Sequence, residues 1–344
     1  LRPLSGITIL DISRLLPGGF ASMLLVQAGA RVIKVEEPGV GDYYRALAGG
    51  REFVELGHFS RLHRGKEFIT LNLKSDQGRE LFKELVRRAD VVIENFRPGT
   101  LKRLKIQYPV LSRWNKKVIL CSLTGYRPKG PEARLGGHDL NYLALSGLLS
   151  MNRDRTGQPV IPQFQLVDLS AGYRAFGLIL AALMNRERTG RGSWVSVSLQ
   201  ETALEIASLY APVRGPAPAV SLQGLPHYAV YQTRGGGWIS FAPLEPKFVK
   251  NFCEAVGGPT GRRPVGRLKK NGLRRLFLGK TRREWGRLSQ RHDFCLTPVR
   301  EIGEVFGRIK KRALPPMGRD NVKILRPIGY SAGEVRDLKR RWVL

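Results

Sequence analysis

The chain has 344 residues, 42% of them hydrophobic, with 58 Lys and Arg against 28 Asp and Glu and a formal net charge of +30. Its length and apolar content support a real core in two domains or one elaborate one, and exclude wholesale disorder. No run of 18 or more apolar residues occurs, so no membrane span is expected, and the charge implies polyanionic partners: nucleic acid, anionic membrane or a phosphate-bearing small molecule. The opening Leu1-Arg2-Pro3-Leu4-Ser5-Gly6 has no charged lead followed by an apolar block, so no signal peptide is expected. Cys121, Cys253 and Cys295 are far apart, odd in number and without metal spacing, which reads as small core residues in a reducing cytoplasm.

Residues 7–12 form an apolar run that predicts a buried strand. Pro17-Gly18-Gly19 opens an apolar helix over about 20–28, Gly29 ends it, and 30–35 make the next strand. Such a βαβ unit implies parallel strands and a right-handed crossover. Residues 69–73 predict a strand, 75–89 an amphipathic helix capped by Ser75, 91–94 a strand, 101–104 a helical turn and 118–123 another strand. This alternation predicts a doubly wound α/β domain. Residues 138–151 read as helix with Leu140, Leu143, Ala144 and Leu148 on one face. Residues 169–186 predict a long helix, nearly apolar over 175–184 and so expected at the centre of the fold. A turn at Arg188-Thr189-Gly190-Arg191-Gly192, a strand over 194–199 and a helix over 200–209 follow.

Residues 211–226, rich in Pro, Gly and Ala, read as a linker. Two strands, 228–232 and 238–242, are joined by Arg234-Gly235-Gly236-Gly237, and 248–256 is helical. Residues 261–291 are dominated by Arg and Lys around a helical Leu/Phe/Trp pattern, and a short helix follows Val299 through Val305. The capping box Ser331-Ala332-Gly333-Glu334 starts a helix that runs to the end.

The chain has no Walker A motif, no G-x-G-x-x-G after a strand, no H-E-x-x-H, no paired C-x-x-C and no G-x-S-x-G, which disfavours metal and serine-hydrolase chemistry. Two residues stand out. His138 lies in Gly137-His138-Asp139-Leu140-Asn141-Tyr142, and Asp168 in Gln165-Leu166-Val167-Asp168-Leu169-Ser170-Ala171-Gly172. The first is a base that titrates near neutral pH. The second is a carboxylate at the mouth of the long helix, where first-turn amides are available to an oxyanion. Each has a plainer reading, Asp168 as an N-cap and His138 as a capping or buried histidine. Asp139 reads as the cap of the helix that follows or as the group orienting the imidazole, and Glu245, just before a helix, as a capping acid. Four segments look like ligand loops: Arg61-Leu62-His63-Arg64-Gly65-Lys66, Leu71-Asn72-Leu73-Lys74, Glu94-Asn95-Phe96-Arg97-Pro98-Gly99 and Leu123-Thr124-Gly125-Tyr126. Singly each reads as a solvated turn. Together, mostly following or bounding strands of an open sheet, they favour a phosphate-bearing ligand.

These segments together resemble the class III CoA-transferase superfamily (the CaiB/BaiF type), and within it the α-methylacyl-CoA racemases. The resemblance rests on Pro3-Leu4-Ser5-Gly6-Ile7, Pro17-Gly18-Gly19, Gly29-Ala30-Arg31-Val32-Ile33-Lys34-Val35-Glu36, Leu73-Lys74, Asn95-Phe96-Arg97-Pro98-Gly99 and Arg188-Thr189-Gly190-Arg191-Gly192, in that order. The racemase branch is indicated by the residues 137–147, by the position of Asp168 and by Leu244-Glu245-Pro246-Lys247-Phe248. The sequence departs from that branch at Gly224-Leu225-Pro226-His227, at Gln163-Phe164-Gln165, at His63 and Asn72, and in a shortened, basic stretch over 257–280.

The resemblance implies an α/β fold: a Rossmann-like doubly wound parallel-sheet large domain with a second, smaller α+β domain, in an interlocked homodimer. It divides the chain into a large domain over 1–210, a linker over 211–226, a small domain over 227–310, and a linker and C-terminal helix over 311–344 that return to the large domain. It assigns His138, Asp168 and the auxiliary Glu245 to catalysis. It assigns Arg14, Arg64, Lys66, Leu73, Lys74, Asn95, Phe96, Arg97, Thr124, Gly125 and Tyr126 to binding coenzyme A. It calls for no metal and no tightly bound cofactor, with coenzyme A arriving as part of an acyl-CoA substrate, and for a cytoplasmic location. In such racemases the His and Asp act as paired bases on opposite faces of the α-carbon, through an enolate. In the transferases the matching aspartate is a nucleophile and the histidine is generally not needed. A third reading, a nucleic-acid-binding protein on a disused scaffold, draws on the basic residues 261–291 with Phe277 and Trp285 interleaved. It ranks well behind, because the positive charge is spread along the whole chain.

Overall fold

The computed structural model describes residues 1–47, 58–127, 129–154, 156–212, 222, 224–257, 269–307 and 314–344, and the statements below concern those residues. They form two compact units, Leu1–Ala211 with Lys310–Leu344, and Pro212–Ile309. Most of the expected linker, 213–221 and 223, lies outside the described residues, as does 258–268 of the basic stretch.

The first unit is built on a parallel sheet of β1 (Thr8–Asp11), β2 (Arg31–Glu36), β3 (Glu67–Thr70), β4 (Val91–Glu94), β5 (Ile119–Thr124) and β6 (Trp194–Ser198), in the order β3-β2-β1-β4-β5-β6. Its strands are apolar on both faces, as a sheet covered on both sides requires. Side chains alternate: Ile9, Val32, Val91, Ile93, Ile119 and Cys121 enter one core, while Leu10, Ile33, Val92 and Leu120 enter the other. The strand order reverses between β1 and β4, which opens a crevice beyond their carboxyl ends.

The connecting helices are α1 (Leu16–Gln27), α2 (Tyr43–Leu47), α3 (His58–Leu62), α4 (Asp76–Val86), α5 (Thr100–Arg103), α6 (Tyr108–Trp114), α7 (Asp139–Leu145), α8 (Leu148–Met151), α9 (Leu166–Thr189) and α10 (Leu199–Ser208). α4 begins as expected, with the Ser75 hydroxyl accepting from the Gly78 amide at 3.0 Å. α1 begins at Leu16 and not near Phe20. The turn is made by Leu15, at φ 65°, and Gly18 and Gly19 lie inside the first helical turn. Their missing Cβ atoms give room to Ser13 and to Leu62.

The expected helix over 138–151 is broken at Gly147 (φ 84°), and its buried members are Asp139, Tyr142 and Leu143, with Leu140 and Ala144 exposed. α9 packs along α1, where Gly172 lets it approach the Pro17 carbonyl. By length and composition it is long and apolar enough to cross a membrane. It is not central, because only one face is covered. Val167, Ala171, Ala175 and Ile179 are buried, while Tyr173, Leu178 and Met184 are exposed. The helix Ala332–Arg340 carries the expected capping box, and its Val335 and Leu338 enter the second core of this unit.

In the second unit β7 (Ala229–Gln232), β8 (Trp238–Phe241) and β9 (Leu296–Pro298) form an antiparallel sheet with α11 (Pro246–Ala255), α12 (Lys270–Phe277), α13 (Arg282–His292) and α14 (Ile302–Phe306). Gly235 and Gly236, at φ 83° and 81°, make the turn between β7 and β8. Phe277 and Trp285 are fully buried, in edge contact at 5.0 Å, with the Trp285 indole donating to the Phe277 carbonyl at 2.9 Å. They are core residues, closed to stacking on a nucleic-acid base, which removes the aromatic half of the third reading.

Candidate active site

A cleft of about 680 Å³ lies over the carboxyl ends of β1, β2, β4 and β5, at the reversal in strand order. Its walls include Arg14, Leu73, Lys74, Asn95, Phe96, Arg97, Thr124, Gly125, Tyr126, His138 and Asp168. The loops after β1 and β4 are clamped across the reversal. The Asn95 carboxamide accepts from the Arg14 amide at 2.7 Å and donates to the Arg14 carbonyl at 2.5 Å. The Arg14 guanidinium lies 4.2 Å from the Tyr43 ring centre and pairs with Glu37 at 2.8 Å. Lys74 reaches the same carboxylate at 2.6 Å. Burial works against the Glu37 charge, but Lys74 and Arg14 hold its pKa below the ordinary range. Arg97 and Arg103 bring the cations of the rim to four, and among the described residues neither has an acidic partner, whereas Arg14 and Lys74 share Glu37. Such a rim favours a multiply charged anion. The Thr124 hydroxyl is buried in the wall with no hydrogen-bond partner. Arg103 was missed from sequence, where it looked like any other cation of a short basic turn.

Two expected ligand cations are elsewhere. Arg64 is exposed but does not line the cleft, and the Lys66 ammonium is fully buried. It donates to the Ser22 hydroxyl at 2.6 Å, the Gly19 carbonyl at 3.0 Å and Asp11 at 3.3 Å. Both residues precede β3, whereas the cleft opens past the opposite ends of the parallel strands. Glu245 belongs to the second unit, exposed at the N-cap position of α11, where it makes no side-chain cap bond.

His138 and Asp168 line the same cleft. His138 is the N-cap residue of α7 in extended conformation, its amide held by the Asn141 side chain at 2.9 Å and its side chain exposed. Asp168 is the third residue of α9 and not its cap. The cap comes from another helix: the buried Asp139 carboxylate accepts from the Val167 amide at 2.7 Å and the Asp168 amide at 2.9 Å. Those two amides are therefore already bonded, contrary to the expectation of free first-turn donors. The Asp168 carboxylate accepts no hydrogen bond among the described residues. Burial, then the nearby Asp139 charge, push its pKa up to about 7. Tyr142 packs edge-on against Tyr126 at 5.2 Å beside it, in space left by Gly125 and Gly137.

A raised carboxyl pKa has a stability signature. The folded state holds the Asp168 proton longer than the unfolded chain, so stability falls as pH rises from the ordinary carboxylate range through about 7. Asp168→Asn is therefore expected to stabilise the protein by roughly 2 to 3 kcal/mol at pH 8 and to have no such effect near pH 3, allowing for partial exposure. Urea unfolding at the two pH values checks this. An equal effect at both would mean the carboxyl is not shifted.

The molecule is thus a doubly wound α/β protein whose switch-point cleft joins a cationic rim to an imidazole and a neutral-range carboxyl. The chain matches the CoA-transferase family III model over residues 4–313 and belongs to that family. It is 32% identical to human alpha-methylacyl-CoA racemase over 88% of this chain and 79% of that one. It is 38% identical to mouse succinyl-CoA:glutarate CoA-transferase over 58% of this chain and 46% of that one. A hypothetical protein of Mycobacterium tuberculosis superposes with a TM-score of 0.74 at 28% identity, over 90% of this chain and 87% of that one. A CAIB/BAIF family protein from Brucella suis gives 0.77 at 22% identity, over 95% and 99%, and shares the fold. By their names the relatives include both isomerases and transferases acting on CoA thioesters, so the family is one of enzymes.

Proposed function

We propose that the chain is an acyl-CoA enzyme that racemises 2-methylacyl-CoA thioesters by two-base 1,1-proton transfer. The observation that carries this reading is the meeting of His138 with a carboxyl of pKa about 7 in one cleft. A thioester α-proton is a weak acid, so each face of the α-carbon needs a group able both to take and to return a proton near working pH. One group removes the proton, an enolate forms, and the other returns a proton to the opposite face. Arg14, Lys74, Arg97 and Arg103 attract the phosphates of coenzyme A, which enters as part of the substrate, and no resident cofactor is called for. The second reading is an acyl-CoA:carboxylate CoA-transferase with Asp168 as nucleophile. The transferase relatives and the unbonded Asp168 carboxylate favour it.

The division into large domain, linker and small domain, the role of Glu245, the interlocked homodimer and the cytoplasmic location belong to the same proposal. The uncovered apolar face of α9, with Tyr173, Leu178 and Met184, supports a second copy as its cover. The test is incubation with a 2-methylacyl-CoA in deuterated water, with and without a free carboxylate, followed by mass spectrometry. Deuterium at the α-carbon with inversion is expected without the acceptor. CoA transfer with no exchange would replace the first reading by the second.

A further inference from the structure

Asp139 contributes to neither half of the proposed chemistry directly, yet it lies between the two groups that do. Taking His138 and Asp168 as the working pair, we propose that Asp139 is a positioning residue that fixes their separation by bonding the His138 segment to the first turn of the Asp168 helix. Its side chain is buried within the fold at 8% exposure, and one oxygen accepts from both Val167 and Asp168. Gln165, in the N-cap position of α9, makes no side-chain cap bond, so Asp139 supplies from α7 what the local sequence of α9 does not. His138 is the neighbouring residue in the chain, and adjacent Cα atoms are about 3.8 Å apart. The backbone that carries the imidazole cannot shift relative to the Asp168 amide without breaking these bonds. Misplacement by about 1 Å costs up to about 10²-fold in rate.

The same carboxylate faces Asp168. The other titratable groups acting at that position are the Tyr142 phenol from α7 and the Tyr44 phenol from α2, both kept protonated by burial. Asp139 is thus the charge that, after burial, keeps Asp168 able to give a proton as well as take one. A neutral cap in the same place would hold the helix and leave the titration of Asp168 alone.

Asp139→Asn keeps the size and an acceptor oxygen and removes the charge, and Asp139→Ala removes both. In Asp139→Asn the limb of the pH–rate profile that reports Asp168 is expected to move to lower pH, with KM for the acyl-CoA unchanged within about twofold. In Asp139→Ala kcat is expected to fall by about tenfold or more, again with little change in KM. A carbon-13 NMR titration of the Asp168 carboxyl, assigned with Asp168→Asn, reads the same shift with no turnover and requires only that Asp139→Asn folds. An unchanged Asp168 titration in Asp139→Asn, or a wild-type kcat in Asp139→Ala, overturns the proposal. Wild-type protein that neither exchanges nor transfers would sink the functional reading, while the titration still decides the role of Asp139.

Discussion

Asp168→Ala is expected to abolish racemisation of a 2-methylacyl-CoA, with a loss of about 10² to 10⁴-fold, the usual contribution of one general acid–base group. His138→Ala is expected to lose racemisation to the same extent, because inversion needs a proton taken from one face and returned to the other. The two variants differ in what remains. Without His138, Asp168 still faces one side of the α-carbon, so one enantiomer continues to exchange its proton with solvent and keeps its configuration. Without Asp168 the same holds for the other enantiomer. KM should change little in both, since the cations proposed to attract the phosphates of coenzyme A are other cleft residues, Arg14, Lys74, Arg97 and Arg103. In a transferase the pattern is different: Asp168→Ala removes the nucleophile and all transfer, and His138→Ala leaves transfer largely intact. Chiral analysis of the recovered thioester, with deuterium content measured alongside, separates the cases. Full inversion by His138→Ala would exclude the two-base scheme.

The parts of this arrangement legible in the sequence are those governed by short-range pattern. Ile9, Val32, Val91 and Ile119 announce buried parallel strands because apolar residues recur in short runs between helices, and the alternation of the elements then fixes the sheet. The cleft loops at 71–74, 94–99 and 123–126 follow from that, since ligands bind past the carboxyl ends of such strands. Lys66 was misplaced because composition does not record which end of a strand a residue occupies, or that a lysine turns inward toward Asp11. The plainer reading of Asp168 as a cap fails, although Asp before an apolar run is the local signature of one, because Asp168 is the third residue of α9. The true cap, Asp139, is separated from it by 29 positions, and no local rule reaches across that distance. The start of α1 was set too late for a similar reason: Gly18 and Gly19 look like a turn in sequence, and only the packing of Ser13 and Leu62 against them shows why a helix needs them.

The largest expected loss of stability comes from beneath the cleft, at Asp11. Its carboxylate is fully buried at the end of β1 and accepts from the Ser22 hydroxyl at 2.6 Å and the Ser13 amide at 3.0 Å, with Lys66 at 3.3 Å and Lys34 at 3.5 Å. Lys34 also pairs with buried Asp42 at 2.8 Å. Burial first, and then Lys66, hold the His63 imidazole well below its ordinary pKa, so it is neutral, and the cluster balances two ammonium groups with two carboxylates. Asp11→Ala leaves two buried cations with Asp42 as the one carboxylate paired to them, and Glu36 acting on Lys34 from farther away. Breaking a buried pair from one side costs about 3 to 5 kcal/mol, against a total stability of about 5 to 15 kcal/mol for a typical domain. The loss should also depend on pH. Burial already lowers the Lys66 pKa to about 8, with Asp11 opposing that fall. The folded state therefore releases this proton before the unfolded chain does, and stability attributable to Lys66 rises as pH climbs from about 8 toward the ordinary lysine value. Without Asp11 the Lys66 pKa drops further and the relief starts at lower pH. Urea unfolding at pH 7 and pH 9.5 should show Asp11→Ala much less stable than wild type at the first and closer to it at the second. A variant within about 0.5 kcal/mol of wild type at pH 7 would mean that the buried charges do not depend on Asp11.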